Sequence, residues 1–132
     1  AVRGYRTIDG LRAADLVFDG VAGEPLPGGG AAVAHACIRG RAALCAEAVG
    51  TMEQLNALTL DYIKTRQQFG QPIGRFQVLQ HRAVDMFIDA EQSKSMAYAA
   101  AMAADEADAP AGRDGVDAAS EYIAAAARRV AK

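Results

Sequence analysis

The chain has 132 residues, 52% apolar and 23% charged, with 14 basic against 16 acidic side chains and no tryptophan. That length allows at most one ordinary domain with a real core. A net charge of −2 gives neither the basic field that gathers nucleic acid nor a polybasic face for a membrane, and no apolar run reaches the length of a bilayer span.

The opening Ala1-Val2-Arg3 has no initiator Met and no signal-peptide pattern, so the start reads as an internal cut. Residues 1–21 are short and mixed. Leu16-Val17-Phe18 followed by Asp19-Gly20 predicts one strand ending in a turn. Residues 22–30 carry Pro25, Pro27 and Gly28-Gly29-Gly30 and read as a linker, because three successive glycines hold a regular element only at high entropic cost.

From about Ala31 to Arg66 the pattern is helical, with Leu44, Ala48, Met52, Leu55, Thr59 and Tyr62 on one stripe. Gly40 and Gly50 interrupt it, each costing up to about 1 kcal/mol against alanine. They mark either close approach by a neighbouring backbone or ligand, or two tolerated weak points. A second helix is expected over 76–106, where Leu79, Ala83, Met86, Ala90, Ser93, Ala97 and Ala100 form a narrow small-residue seam for near-antiparallel packing. Asp105 to Gly115, with Pro110 and Gly112, reads as a break. A third helix is expected from about Val116 to Ala131, carrying Val116, Tyr122, Ile123, Ala126 and Val130, with Arg128, Arg129 and Lys132 at the negative end of its dipole. The fold class is therefore mainly α: an incomplete up-down bundle of three long helices preceded by a short β tail.

Cys37 and Cys45 lie eight residues apart in one helical pattern, a rise of about 12 Å that is beyond disulfide reach. They are expected as reduced, buried or half-buried thiols in a cytoplasmic type of protein. His35 and His81 are far apart, and neither has a carboxylate pair at ligand spacing, so no metal is expected.

Between the first two helices lies Thr65-Arg66-Gln67-Gln68-Phe69-Gly70-Gln71-Pro72-Ile73-Gly74-Arg75-Phe76-Gln77. Helix connections are mostly polar and small, but this one gathers two arginines, four glutamines and two phenylalanines. Arginine offers a planar donor fork for phosphate oxygens, and an adjacent ring offers a face for a heterocycle. The cluster reads either as a site for a nucleotide-like cofactor or as an ordinary turn. In the ordinary turn, Arg66 would pair with an acidic side chain and Phe69 would plug the loop against the bundle.

The run Tyr62 to Ile73, then Phe76-Gln77, then His81 to Met86 with Asp85-Met86, resembles the acyl-CoA dehydrogenase family, at the first two helices of its C-terminal helical domain. Gly4-Tyr5-Arg6-Thr7-Ile8-Asp9-Gly10 through Val17-Phe18-Asp19-Gly20-Val21 is similar to the end of that family's middle β-domain. The resemblance implies residues 1–21 as the end of the β-domain, 22–30 as the linker and 31–132 as a truncated helical domain. It implies FAD as cofactor and α,β-dehydrogenation of an acyl-CoA thioester as the reaction.

By motif match Arg66, Gln68 and Phe69, with Gln77 beside them, are the positions that touch FAD, reaching the pyrophosphate and adenine end of a neighbouring subunit's cofactor. Gln68 replaces a small hydroxyl residue that some members carry. Arg41 lies where the family's first helix passes the acyl-CoA pocket, so it either lines the substrate channel or sits on a solvated face. Arg39, about 200° around the helix, does not share its site. Asp85 is expected to order helix or subunit contacts. No catalytic residue is expected here: some members place a glutamate near Gly40, but Ile38-Arg39-Gly40-Arg41 has no carboxylate, and Glu47 and Glu53 read as surface charges. In most members the base lies on a downstream loop, beyond Lys132.

Two functions follow. One is a fragment of an FAD-dependent acyl-CoA dehydrogenase, in a homo- or hetero-oligomer (dimer or tetramer) whose flavin sites are shared across subunits, with electron-transfer flavoprotein as a further partner. The other is a non-catalytic helical subunit completing a partner's flavin site. Acyl-CoA oxidases and flavin monooxygenases share the implied fold. A three-helix bundle leaves part of a seam uncovered, so self-association is expected.

Overall fold

In the computed structural model the described residues are 1–106 and 110–130. The order is β1 (Val2–Arg6), β2 (Arg12–Leu16), α1 (Gly29–Thr65), β3 (Gln67–Gln68), β4 (Gln71–Pro72), a 3-10 turn (Ile73–Arg75), α2 (Gln77–Asp105) and α3 (Pro110–Val130).

The N-terminal segment is a hairpin rather than the single strand expected at Leu16-Val17-Phe18. β1 and β2 pair antiparallel from Val2 opposite Leu16 to Arg6 opposite Arg12. The turn between them is held by Asp9, whose carboxylate accepts from the Thr7 hydroxyl and from the Leu11 N–H. Those bonds hold its pKa below the usual carboxylate range, the Thr7 bond foremost. Gly10 adopts φ +82 in that turn. Val17 and Phe18 lie past the end of β2 and are exposed.

α1 begins inside the glycine run. Gly28, at φ +71, is the N-cap, and Gly29 and Gly30 are already helical. The Gly29 N–H donates to the Leu26 carbonyl, so a turn at Leu26–Gly29 launches the helix two residues ahead of the expected start. α3 likewise starts at Pro110 rather than Val116. Proline suits the first helical position, where its missing N–H has no partner to lose. Gly115, read as part of a break, is instead a contact point: a Cβ there would stand 3.0 Å from that of Ala103, so glycine lets α3 approach the end of α2 closely.

The three helices run up, down and up. Asn56 Nδ2 on α1 donates to the Met86 carbonyl on α2 at 3.2 Å, while Ile38 near the start of α1 meets Ala104 near the end of α2 and Val116 near the start of α3. The α2 seam forms as its spacing predicts, with Ala90, Ser93, Ala100 and Ala104 buried and Leu79, Ala83, Met86 and Ala97 half-buried. On α3, Val116, Ala119, Ile123, Ala126 and Val130 are buried at intervals of three and four.

α1 corrects its expected stripe. The buried line is Ile38, Cys45, Val49 and Met52, continued by half-buried Ala42, Asn56, Thr59 and Ile63. Leu44 and Tyr62 are 62% and 57% exposed. Two adjacent lines on α1 are apolar, and the sequence does not say which of them meets α2 and α3. The second, with Leu44, Leu55, Leu58 and Tyr62, is left uncovered. Gly40 and Gly50 lie on exposed positions where a Cβ would meet nothing within 4 Å, so within this chain neither admits a close neighbour. Cys37 is exposed and Cys45 buried, both as free thiols. The dipole-facing Lys132 lies outside the described residues.

Candidate functional site

α1 ends at Thr65, whose hydroxyl bonds back to the Asp61 carbonyl at 2.9 Å. Arg66 is the C-cap: its N–H still donates to Tyr62 at 2.8 Å, but its backbone is extended, with φ −70 and ψ 124. The chain turns back at once. Gln67 pairs with Pro72 and Gln68 with Gln71, and the two residues between, Phe69 and Gly70, have φ +54 and +77. Positive φ at both central positions is the signature of a type I′ hairpin turn, which ordinarily carries Asn-Gly or Gly-Gly. For a residue with a Cβ the left-handed conformation costs about 1–2 kcal/mol. Phenylalanine accepts that strain here while 90% exposed. Its ring meets that of Phe76 edge to face, centroids 6.1 Å apart.

The base of the turn is fastened to both helices. The Ile73 N–H donates to the Arg66 carbonyl at 2.9 Å, and the Phe76 N–H to that of Ile73 at 3.1 Å. Gly74 presses on the end of α1, where a Cβ would lie 2.9 Å from the Ile63 carbonyl oxygen. From α2, Gln80 Nε2 donates to the Gly74 carbonyl at 2.9 Å. Gln77 is exposed as the first residue of α2.

Arg66, Gln68, Phe69 and Gln77 thus stand together at one end of the bundle, all exposed. Among the described residues the Arg66 guanidinium has no carboxylate partner. Between Asp61 and Asp85 the sequence carries Lys64, Arg66, Arg75 and Arg82 and no acidic residue, so the turn itself bears only positive charges. An open groove of about 740 Å³ adjoins it, lined by Leu55, Ile63, Leu79, Met86 and Val130, with Arg82, Asp85 and Asp89 also facing it.

Arg41 lies elsewhere. It sits 25 residues before Arg66 on the same helix, about 37 Å along its axis, and its guanidinium pairs with the Asp117 carboxylate on α3. Both side chains are partly exposed. Asp117 carried no sequence signal, because the pairing depends on α1 and α3 running side by side. Glu53 and Glu91 clasp Lys94 at 2.7 and 2.9 Å, with the Glu53 hydrogen bond the chief cause of the ammonium's raised pKa. Among the described residues no group of three acidic, His or Cys side chains is placed to hold a metal, and no helix is long and apolar enough to cross a membrane.

Residues 28–132 match the family profile described as acyl-CoA dehydrogenase, C-terminal domain. The chain belongs to the acyl-CoA dehydrogenase family. It is 43% identical over 67 residues to acyl-CoA dehydrogenase IpdE2 of Mycobacterium tuberculosis, a match covering 51% of this chain and 19% of that protein. It is 41% identical over 76 residues to the L-prolyl-(peptidyl-carrier protein) dehydrogenase of a Serratia species, covering 57% and 20%. Among solved structures it resembles apo-form PigA, with TM-score 0.69 and 32% identity over 78% of this chain and 27% of that one. It also resembles PigA with FAD and proline, with TM-score 0.60 and 33% identity over 70% and 24%. The chain therefore spans about a fifth of the length of these curated relatives.

Membership accounts for the bundle, while the roles of Gly74 and Gln80 lie in the folded turn alone. A glycine three residues before the helix and a glutamine in its first turn are ordinary in sequence, and what marks them is the contact each makes across the turn.

Proposed function

We infer that the chain is the helical part of an FAD-dependent acyl-CoA dehydrogenase and that its Arg66–Gln77 turn grips the flavin nucleotide. The observation that carries this is the combination of an Arg66 with no carboxylate partner among the described residues and a strained, 90% exposed Phe69. An ordinary turn would have satisfied the guanidinium with a carboxylate and folded the ring against the bundle. Here the ring is held outward at a conformational cost, which is the pattern of strain retained for contact with something outside the chain.

The donor set fits FAD. Arg66 matches a pyrophosphate oxygen pair with its planar fork, the local excess of Lys64, Arg75 and Arg82 adds to that attraction, and Phe69 supplies a face for the adenine ring. Gln68 and Gln77 supply amide donors and acceptors. When bound, FAD supplies the hydride acceptor for α,β-oxidation of an acyl thioester. This chain's residues hold and orient it, and Arg41, steadied by Asp117, faces the acyl-CoA side. The base comes from elsewhere in the protein.

The turn's exposed Arg66, Gln68 and Phe69 are free to reach a flavin held by a neighbouring subunit. The uncovered α1 line of Leu44, Leu55, Leu58 and Tyr62 supports assembly into a dimer or tetramer. Residues 1–21 then end the β-domain and 22–30 link it to the bundle. The test is the full-length protein: bound yellow flavin that bleaches with an acyl-CoA under anaerobic conditions. Arg66→Ala is expected to weaken FAD binding at least tenfold, the scale of a charge-assisted phosphate contact, with the unfolding midpoint unmoved. A colourless protein, or an Arg66 variant that retains FAD fully, overturns the reading.

A further inference from the structure

We propose that Gln80 is a positioning residue that locks the flavin-gripping turn in place through the Gly74 carbonyl; the functional half of this proposal rests on the flavin reading above. Side chains on a helix lean toward its N-terminus, so an amide in the first turn of α2 is aimed back at the segment that precedes the helix. Gln80 Nε2 meets the Gly74 carbonyl there at 2.9 Å. On its other side Gly74 lies against the end of α1, with room for no Cβ beside the Ile63 carbonyl. One peptide unit is thus gripped between the two helices.

That grip is transmitted to the site through backbone bonds. Gly74 is bonded to Ile73, whose N–H donates to the Arg66 carbonyl at 2.9 Å. Ile73 follows β4, whose pairing with β3 places Gln68 and carries the Phe69-Gly70 tip. A two-residue strand pair is too short to hold its own position, and its further ties toward α2 run through the N-cap Phe76, by the edge contact with Phe69 and the N–H bond to the Ile73 carbonyl. Gln80 itself is exposed, so a purely packing role is excluded: what it contributes is a donor.

The test uses the full-length protein carrying Gln80→Met, which keeps length and helix preference but removes the donor, and Gln80→Lys, which restores a donor of similar reach. Amide exchange is read at Ile73 and, as control, at Ile123 in the core, alongside FAD affinity. The Met variant is expected to speed exchange at Ile73 by about threefold to tenfold, the factor of one net hydrogen bond. Ile123 should stay unchanged and FAD affinity should fall by a similar factor, with the Lys variant recovering both. Unchanged exchange at Ile73 overturns the lock, as does an equal rise at Ile123, which would indicate general loss of stability. Faster exchange at Ile73 with undiminished FAD affinity overturns the positioning role. A full-length wild-type protein that binds no FAD sinks the flavin reading instead, and the exchange rates alone then judge the lock.

Discussion

The middle of the bundle and the turn at its end solve opposite problems with the same backbone. Along the middle, the buried residues of α2 are small and those facing them are mostly larger: Ala90, Ser93 and Ala100 on α2 lie among Cys45, Val49 and Met52 on α1 and Ala119, Ile123 and Ala126 on α3. Each sits in regular helix and gains from burial. At the turn Phe69 faces outward in a backbone conformation that suits glycine, and Arg66 has no acidic partner among the described residues. Stability is therefore made in one region and expended in the other. The contrast teaches that a side chain's exposure matters most where the backbone beneath it is strained. Leu44 is also exposed, but on unstrained helix, and needs no such explanation beyond an uncovered face.

The largest expected effect breaks the comparison from its stable side. Ile123 is 2% exposed, and Ile123→Ala should cost about 2–5 kcal/mol, lost transfer energy plus a cavity, read as a lower urea midpoint at constant slope. A cost below about 1 kcal/mol would mean that the three-helix core is loosely packed. Next comes Gly74→Ala. Its Cβ would fall 2.9 Å from a backbone oxygen, and a carbonyl inside α1 has little freedom to retreat. The turn should lift from the helix at a cost of about 1–3 kcal/mol, the range of overpacking. Retention of wild-type stability would show that the turn is not pressed on α1 as closely as drawn.

How much of this was legible beforehand depended on whether the determinant was local. The α2 seam followed from spacing, because only one line of that helix is continuously small. α1 has two adjacent apolar lines, so its buried line required the partners. The start of α3 was missed because Asp105 to Gly115, with Pro110 and Gly112, was read as a break, when Pro110 opens a helix and Gly115 admits Ala103. The hairpin was missed because β1 holds Arg3, Gly4 and Arg6 and lacks an alternating apolar face. At the site, Arg66, Gln68, Phe69 and Gln77 could be singled out by residue type and motif. The strain at Phe69 and the Gln80–Gly74 bond are tertiary and leave no trace in composition.

Phe69→Gly separates strain from packing. Glycine relieves the left-handed conformation, a gain of about 1–2 kcal/mol, but gives up unfolded-state rigidity of about 0.5–1 kcal/mol and the ring contact with Phe76, about 0.5–1.5 kcal/mol. These nearly cancel, so stability should stay within about 1 kcal/mol of wild type while FAD affinity falls at least about fivefold, the lower end of what stacking on an aromatic ring contributes. A loss of stability near that of Ile123→Ala would place Phe69 with the core and remove the contrast between the two regions.

The smallest effect asks whether the middle is as closed as its burial suggests. Cys37 and Cys45 sit on the same helix, one exposed and one buried at 3% exposure, and burial pushes the Cys45 thiol above its ordinary value of 9.0. Only a thiolate is nucleophilic, so in the folded chain iodoacetamide at mildly alkaline pH should add a single mass increment, at Cys37. The second should appear only at the rate of unfolding. The same shift fixes a sign for stability. Below the ordinary thiol pKa both states keep the proton and Cys45 contributes no slope. As pH rises through that value the unfolded chain releases a proton that the folded chain retains, so stability should decline there, and Cys45→Ala should remove that part of the decline. Rapid double alkylation of the native chain would mean that the seam between α1 and its neighbours opens readily, and the bundle's middle would then differ from its end in degree rather than in kind.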